Sequence, residues 1–174
     1  MEEDLLYHDL EHTLYVEKSV CTIGKIEGVS DEELVLLKSA ALVHDAGFIL
    51  RYNENEELGF QIMYDLMKKY GYSEQHIDKI HQLVAATKSH YKPQNLLEEI
   101  IRDADHDYLG RDDYYSKAEK LYKELRSRGI EMSEKEWIEK QIDYLENQHR
   151  YFTNSSINRR NEVKKLRVKE LKQK

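Results

Sequence analysis

Breakers of regular backbone are scarce in this chain: one proline, Pro93, and seven glycines among 174 residues. Proline and glycine make the sharp turns that a sheet protein needs in number, so their shortage favours long helices. Between them the chain is rich in Glu, Lys and Leu, residues that lose little side-chain freedom in a helix. The stretch from about Leu10 to Lys25 is periodic, with Leu14 and Val16 among its apolar positions, and Gly24 and Gly28 help to close it. Ser30 followed by Glu33 is a capping box opening a helix through Leu34, Leu37, Ala41 and His44. Gly47 then stands where a helix C-terminus takes a left-handed residue. A helix from about Glu56 to Tyr70 stops at Gly71, and Ser73 caps the next, which carries Ile77, Ile80 and Val84. Pro93 forces the residue before it out of helical geometry, so SHYKPQN reads as a loop. Leu96 to Ala104 is a short helix, and Asp112 to Arg128 is another, ended by Gly129. Ser133 with Glu136 caps a helix through Trp137, Ile138, Ile142 and Leu145, and the C-terminal tail forms the last. No segment sustains period-two alternation. The expectation is an all-α helical bundle forming a single domain over residues 1–174, with no linker long enough to divide it.

A chain of this length buries a core without disulfide staples, and its one cysteine, Cys21, has no internal partner; a reducing, cytoplasmic setting follows. No apolar run approaches the roughly 18–20 residues needed to cross a bilayer, so no membrane span is expected. The N-terminus, MEEDLLYHD, is acidic where a signal peptide would be basic. Of the net charge of −7, residues 158–174 hold +6 and the rest −13. An acidic body argues against a general nucleic-acid binder, whose affinity rests on neutralising phosphates. The basic tail reads as a solvated terminal helix with Val163, Leu166, Val168 and Leu171 partly packed; contact with RNA, a membrane or an acidic partner is its other use.

Three short segments carry the chemistry. In Tyr7-His8-Asp9-Leu10-Glu11-His12-Thr13 the two histidines are four apart, which on a helix puts both imidazoles on one face. In Leu42-Val43-His44-Asp45-Ala46-Gly47 an imidazole and a carboxylate end an apolar run that reads as a buried helix. In Ile101-Arg102-Asp103-Ala104-Asp105-His106-Asp107 an acidic cluster follows another apolar helix, with Arg102 expected to pair with the carboxylates around it. Two imidazoles and two or more carboxylates make a mixed nitrogen and oxygen donor set. That set suits a divalent metal such as Mn²⁺, Fe²⁺, Co²⁺, Ni²⁺ or Zn²⁺, with Mg²⁺ also admitted, rather than a thiolate-loving ion.

The order H…HD…D on helices resembles the HD superfamily of metal-dependent phosphohydrolases, through "YHDLEHT", "ALVHDAGF" and "IIRDADHDYLGRDD". The resemblance covers about residues 7–113, leaving C-terminal helices over 114–174, where "HRYFT" resembles a segment of relatives. It implies an HD-domain helical bundle in which His12, His44, Asp45 and Asp105 hold the metal. His12 is preferred to His8 because the family's ligand precedes a small residue, here Thr13. Asp105 is preferred to Asp103, the alternative, because it follows Ala104. His8 occupies the place that supplies a proton to the leaving oxygen in the similar segment of cyclic-nucleotide phosphodiesterases, although Asp9 stands where those proteins have Asn. Of the intervening His76, His81 and His90, His90 is the one expected to reach the site, and one tightly held ion is expected rather than two.

The activity implied is hydrolysis of a phosphate mono- or diester, with Asp45 and His8 as the catalytic pair. A bound cation lowers the pKa of its water and polarises a phosphoryl oxygen. Lys88 and Arg111, with His90, are the candidate substrate-binding groups. A nucleotide or cyclic nucleotide is the substrate that the resemblance implies, and Tyr7, Tyr52, Tyr91, Tyr108, Tyr114 and Tyr115 offer rings near the motifs to stack a base. Two other readings compete. One is a non-enzymatic metal- or nucleotide-binding sensory module whose basic helix docks on a partner. The other is a di-iron oxygenase, which would need more histidine ligands.

Overall fold

The computed structural model describes residues 5–49, 55–88 and 90–174, and among them the regular structure is helical throughout, with no strand. The all-α bundle expected from the periodicity is what the chain forms. Among the described residues eight α-helices follow one another: α1 (Leu10–Glu27), α2 (Asp31–Val43), α3 (Asn55–Lys69), α4 (Glu74–Ala85), α5 (Leu96–Asp105), α6 (Tyr114–Ser127), α7 (Glu134–Asp143) and α8 (Asn154–Leu171). Two 3₁₀ turns, Ala46–Ile49 and Asp107–Gly110, and a π turn, Tyr144–Gln148, join them.

The caps lie where local chemistry puts them. Ser30 and Ser133 each accept the backbone N–H three residues on while Glu33 and Glu136 reach back, completing both capping boxes. Asp9, Ser73, Asn95 and Thr153 cap α1, α4, α5 and α8 through single side-chain acceptors. Gly28 ends α1 at φ 78°, a conformation that costs an L side chain but not glycine. Two other glycines do not do what the sequence predicts. Gly24 sits inside α1, where an added Cβ would crowd Val29 and Leu34 at 3.1 and 3.2 Å. Gly47 lies within the right-handed 3₁₀ turn instead of closing α2 in a left-handed one. The neighbourhood of Gly47 is tight because α3 crosses it: a Cβ on Gly59 would come within 2.7 Å of the Gly47 nitrogen.

The main core joins α1, α2, α4 and α5 through Val16, Val20, Ile23, Leu37, Ile80 and Ile100, all fully buried. Each contributes about 1.5–3 kcal/mol relative to exposure. A second cluster, with Leu109, Tyr114 and Leu145, draws in Val168 and Leu171 from α8, whereas Leu166 stays half exposed.

The C-terminal helix is tied to the body by buried polar contacts. Asp107, fully buried, receives Arg160 through two hydrogen bonds at 2.7 and 2.9 Å and the Tyr15 hydroxyl at 2.8 Å. Gly110 lies flat on the Arg160 backbone, 2.6 Å from where a Cβ would be. Much of the basic charge of the tail is thus taken up within the chain: Lys164 donates to the His149 carbonyl, and Lys165, Arg167 and Lys172 pair with Glu162, Glu170 and Glu146. No helix among the described residues is long and apolar enough to cross a membrane.

Candidate metal centre and adjoining cavity

The packing of α1, α2 and α5 brings four side chains to one point. His12 stands in the first turn of α1, His44 ends α2, Asp45 follows it, and Asp105 is the last residue of α5. The Nε2 atoms of His12 and His44 are 3.3 Å apart. Asp45 Oδ2 lies 3.3 Å from His12 Nε2 and 3.0 Å from His44 Nε2, and Asp105 Oδ1 lies 3.3 and 3.6 Å from the same two atoms. Donors held about 2.0–2.2 Å from one divalent ion are separated by roughly 3–3.5 Å, so the set is spaced to share a cation.

The proton on His44 is fixed by its surroundings. Its Nδ1 lies 2.8 Å from the Ala41 carbonyl, which only accepts, so Nδ1 carries a proton and Nε2 is the atom turned to the cluster. Asp45 Oδ2 is buried with no hydrogen-bond donor, which leaves it open to a cation. Burial works against charge on both histidines, yet the Asp45 and Asp105 carboxylates raise both imidazoles above their usual range. Burial likewise opposes ionisation of the two carboxylates, and the surrounding imidazoles nevertheless hold both well below theirs. The field that draws protons here draws a metal ion equally. His12, His44 and Asp105 form a group able to hold one.

Asp103 faces elsewhere. Its carboxylate accepts the backbone N–H groups of Phe152 and Thr153 and the Thr153 hydroxyl at 2.7 Å, clasping the start of α8. Burial pushes it up to about 6, against the downward pull of those donors. The segment HRYFT thereby acquires a structural role. Arg102 donates to the carbonyls of Ala86, Thr87 and Lys88 and so caps the end of α4.

His8 and His12 do not share a helix face. Asp9 is the N-cap, so α1 begins after His8, and the two rings stand edge to face, 6.1 Å apart at 84°. His8 stacks on Phe48 at 4.1 Å and directs Nδ1 to Glu124 of α6 in a short hydrogen bond. The other oxygen of Glu124 takes the backbone N–H groups of Tyr7 and His8 at 2.7 and 3.1 Å. Although Glu124 is fully buried, these bonds hold its carboxyl below the ordinary range against the opposing effect of burial. No local signal in the sequence links residues 8 and 124.

A cavity of about 360 Å³ opens beside the cluster, with His8, Asp45 and Asp105 in its wall. Tyr7, Tyr108 and Tyr114 line it as candidate stacking rings, whereas Tyr91 and Tyr115 do not, and Tyr52 lies outside the described residues. Helix α7 contributes Trp137, Lys140 and Gln141, and the π turn contributes Tyr144. In that turn the His149 N–H bonds to the Tyr144 carbonyl at 2.8 Å, the wider closure that commonly marks functional sites. Sequence reasoning missed these α7 residues as a site, yet 137, 140, 141 and 144 carry the i, i+3, i+4, i+7 spacing of one helix face. His106 is a further wall residue that it left without a role; burial, with Arg102 nearby, lowers its pKa.

The expected phosphate clamps are not brought to this cavity. Lys88 and His90 are exposed and do not line it. Arg111 sits in a smaller recess beside His12 and Asp105, its guanidinium 3.4 Å from the Tyr15 ring centre and 2.5 Å from Asp113. His76 pairs with Glu32 at the surface.

The family model described as HD domain matches residues 9–148. Among solved structures, the crystal structure of Bacillus subtilis YpgQ in complex with ADP superposes with a TM-score of 0.65 at 16% identity, covering 95% of this chain and 88% of that one. At that identity the likeness is one of fold. Comparison with curated proteins returned no significant match.

Proposed function

We propose, from the premise that the chain belongs to the HD-domain family, that it is a metal-dependent phosphohydrolase acting on a nucleotide-like phosphate mono- or diester. The observation that carries this reading is the convergence of His12, His44, Asp45 and Asp105 at 3.0–3.6 Å beside a cavity whose wall holds Asp45, Asp105 and His8. These four residues hold one divalent cation, drawn from Mn²⁺, Fe²⁺, Co²⁺, Ni²⁺, Zn²⁺ or Mg²⁺. When bound, such an ion supplies an acidified water and polarises a phosphoryl oxygen.

The remaining work falls to the chain. Asp45, with an oxygen in the cluster and its side chain on the cavity, orients the attacking water and accepts its proton. His8 keeps Nδ1 on Glu124 and so presents Nε2, the atom placed to give a proton to the leaving oxygen. Phe48 and Glu124 together fix the plane and tilt of that ring. Because Glu124 and the α7 wall belong to the C-terminal helices, residues 1–174 act as one unit. ADP in the YpgQ structure supports a nucleotide as the ligand class here. The oxygenase alternative gains nothing from His76, paired at the surface, or from the exposed His90.

The test is a panel of nucleotides and p-nitrophenyl phosphate mono- and diesters, with each of the six metals in turn, on wild type and Asp45→Ala. Turnover by wild type that needs added metal and vanishes in the variant is expected. No turnover in any metal would leave the metal- or nucleotide-binding module as the better reading.

A further inference from the structure

The cavity carries polar groups that the proposed hydrolysis does not use, and they are of one kind. Gln141 receives the Tyr114 hydroxyl on its Oε1 at 2.6 Å, which leaves the amide nitrogen as the end that offers hydrogen bonds to a ligand. Lys140, one residue before it and exposed at the mouth of the cavity, has donors only. Around them Tyr114, Trp137 and Tyr144 provide aromatic faces for a planar ring. From this we infer that α7 forms a nucleobase subsite that selects bases with an oxo group at purine C6 or pyrimidine C4 (guanine, hypoxanthine, uracil or thymine) over those with an amino group there (adenine and cytosine).

The reasoning is one of matching edges. Guanine presents N7 and O6, both acceptors, and thymine and uracil present O4; adenine and cytosine put an amino donor at the equivalent position. A glutamine with both ends free pairs with adenine by accepting from the amino group while donating to N7. Here one lone pair of the accepting end is taken by Tyr114, while the Gln141 amide N–H groups and the Lys140 ammonium are all donors, so an adenine amino group meets more donors than acceptors. Once the base covers these groups, a donor opposite a donor leaves both unpaired, which is what discriminates. The inference deepens the nucleotide reading of the same cavity and rests on it for the position of the phosphate.

Trp137 is the only tryptophan, so its fluorescence reports occupancy of the subsite without reference to activity. Mg²⁺-loaded protein is titrated with GMP, AMP, UMP and CMP, and emission is read before turnover. The expected result is GMP binding about tenfold more tightly than AMP, and UMP than CMP, as loss of one hydrogen bond implies. Gln141→Leu brings each ratio to within about twofold, and Gln141→Glu, which puts an acceptor in place of the donor, turns the preference toward AMP. A reversal of that kind is not produced by misfolding. Equal affinities in wild type, a ratio that survives Gln141→Leu, or binding of none of the four overturns the inference. The two readings fail separately. A protein that prefers GMP but hydrolyses no phosphoester keeps the subsite and loses the hydrolase, and one that hydrolyses without regard to base keeps the hydrolase and loses the subsite.

Discussion

His8 and His12 are four positions apart and hold unlike partners, and a single cap separates them. Asp9 takes the His12 backbone N–H at 2.8 Å, which starts the helix at Leu10 and leaves His8 free to turn toward Glu124. If His8 supplies a proton rather than a ligand, His8→Ala keeps its metal, as measured by elemental analysis, while kcat falls about a hundredfold or more. Glu124→Gln costs less, because the imidazole remains and only its orientation is loosened. Loss of the ion from His8→Ala would put that residue among the ligands. The two aspartates of the third motif part in the same way. Asp103→Asn sets an amide N–H₂ against the donors of Phe152 and Thr153, so thermal unfolding shows a loss of about 1–3 kcal/mol with metal content intact. Asp105→Asn strips the metal. The opposite pattern would reverse the assignment.

At the level of elements, the placement of His44 and Asp45 depends on the contact between α3 and the 3₁₀ turn that follows them. Gly59 allows that approach: a Cβ there would meet the Gly47 nitrogen at 2.7 Å and the Val43 carbonyl at 3.2 Å, both backbone and neither able to rotate away. Gly59→Ala is therefore expected to cost about 1–3 kcal/mol and to weaken metal retention together with stability, as read by calorimetry and metal titration of the same sample. A variant as stable as wild type that retains its metal would mean the two elements slide freely. The helices themselves were legible in the sequence because Ser30, Ser133 and the glycines after α1, α3 and α6 act within one turn. The cavity-facing stripe of α7 was not. Trp137, Ile138, Ile142 and Leu145 join the second apolar cluster as their periodicity predicts, but nothing local tells that Lys140, Gln141 and Tyr144 line a cavity. Lys88 and His90 misled for a related reason, since closeness in sequence to a loop says nothing of where that loop faces.

Across the whole molecule, the segments that meet at His12, His44, Asp45 and Asp105 were readable because each motif announces itself locally, whereas the attachment of the C-terminal helices was not. That attachment rests on Asp103 with Thr153, Asp107 with Arg160 and Glu124 with His8, pairs between distant segments whose charge gives no hint of its partner. The cluster itself should act as a clasp, since a cation held by His12, His44 and Asp105 ties α1, α2 and α5 at once. An ion that binds only the folded chain stabilises it by about 4 kcal/mol when present at roughly a thousand times its dissociation constant. For a chain of this size that is on the order of 10 °C in Tm. The gap between metal-loaded and EDTA-treated protein must also depend on pH, and its sign follows from the imidazoles. With the cation removed, His12 and His44 titrate above their unfolded values because Asp45 and Asp105 overcome the effect of burial. Their contribution is complete below the ordinary imidazole value of about 6.5 and is lost as pH rises through the raised folded values. With the cation present the trend is opposite, because protons and metal compete for the same lone pairs and binding tightens as pH rises. Calorimetry from about pH 6 to about pH 9 should therefore find the gap in Tm widening steadily. A gap that stays constant or narrows would mean that these side chains do not share an ion.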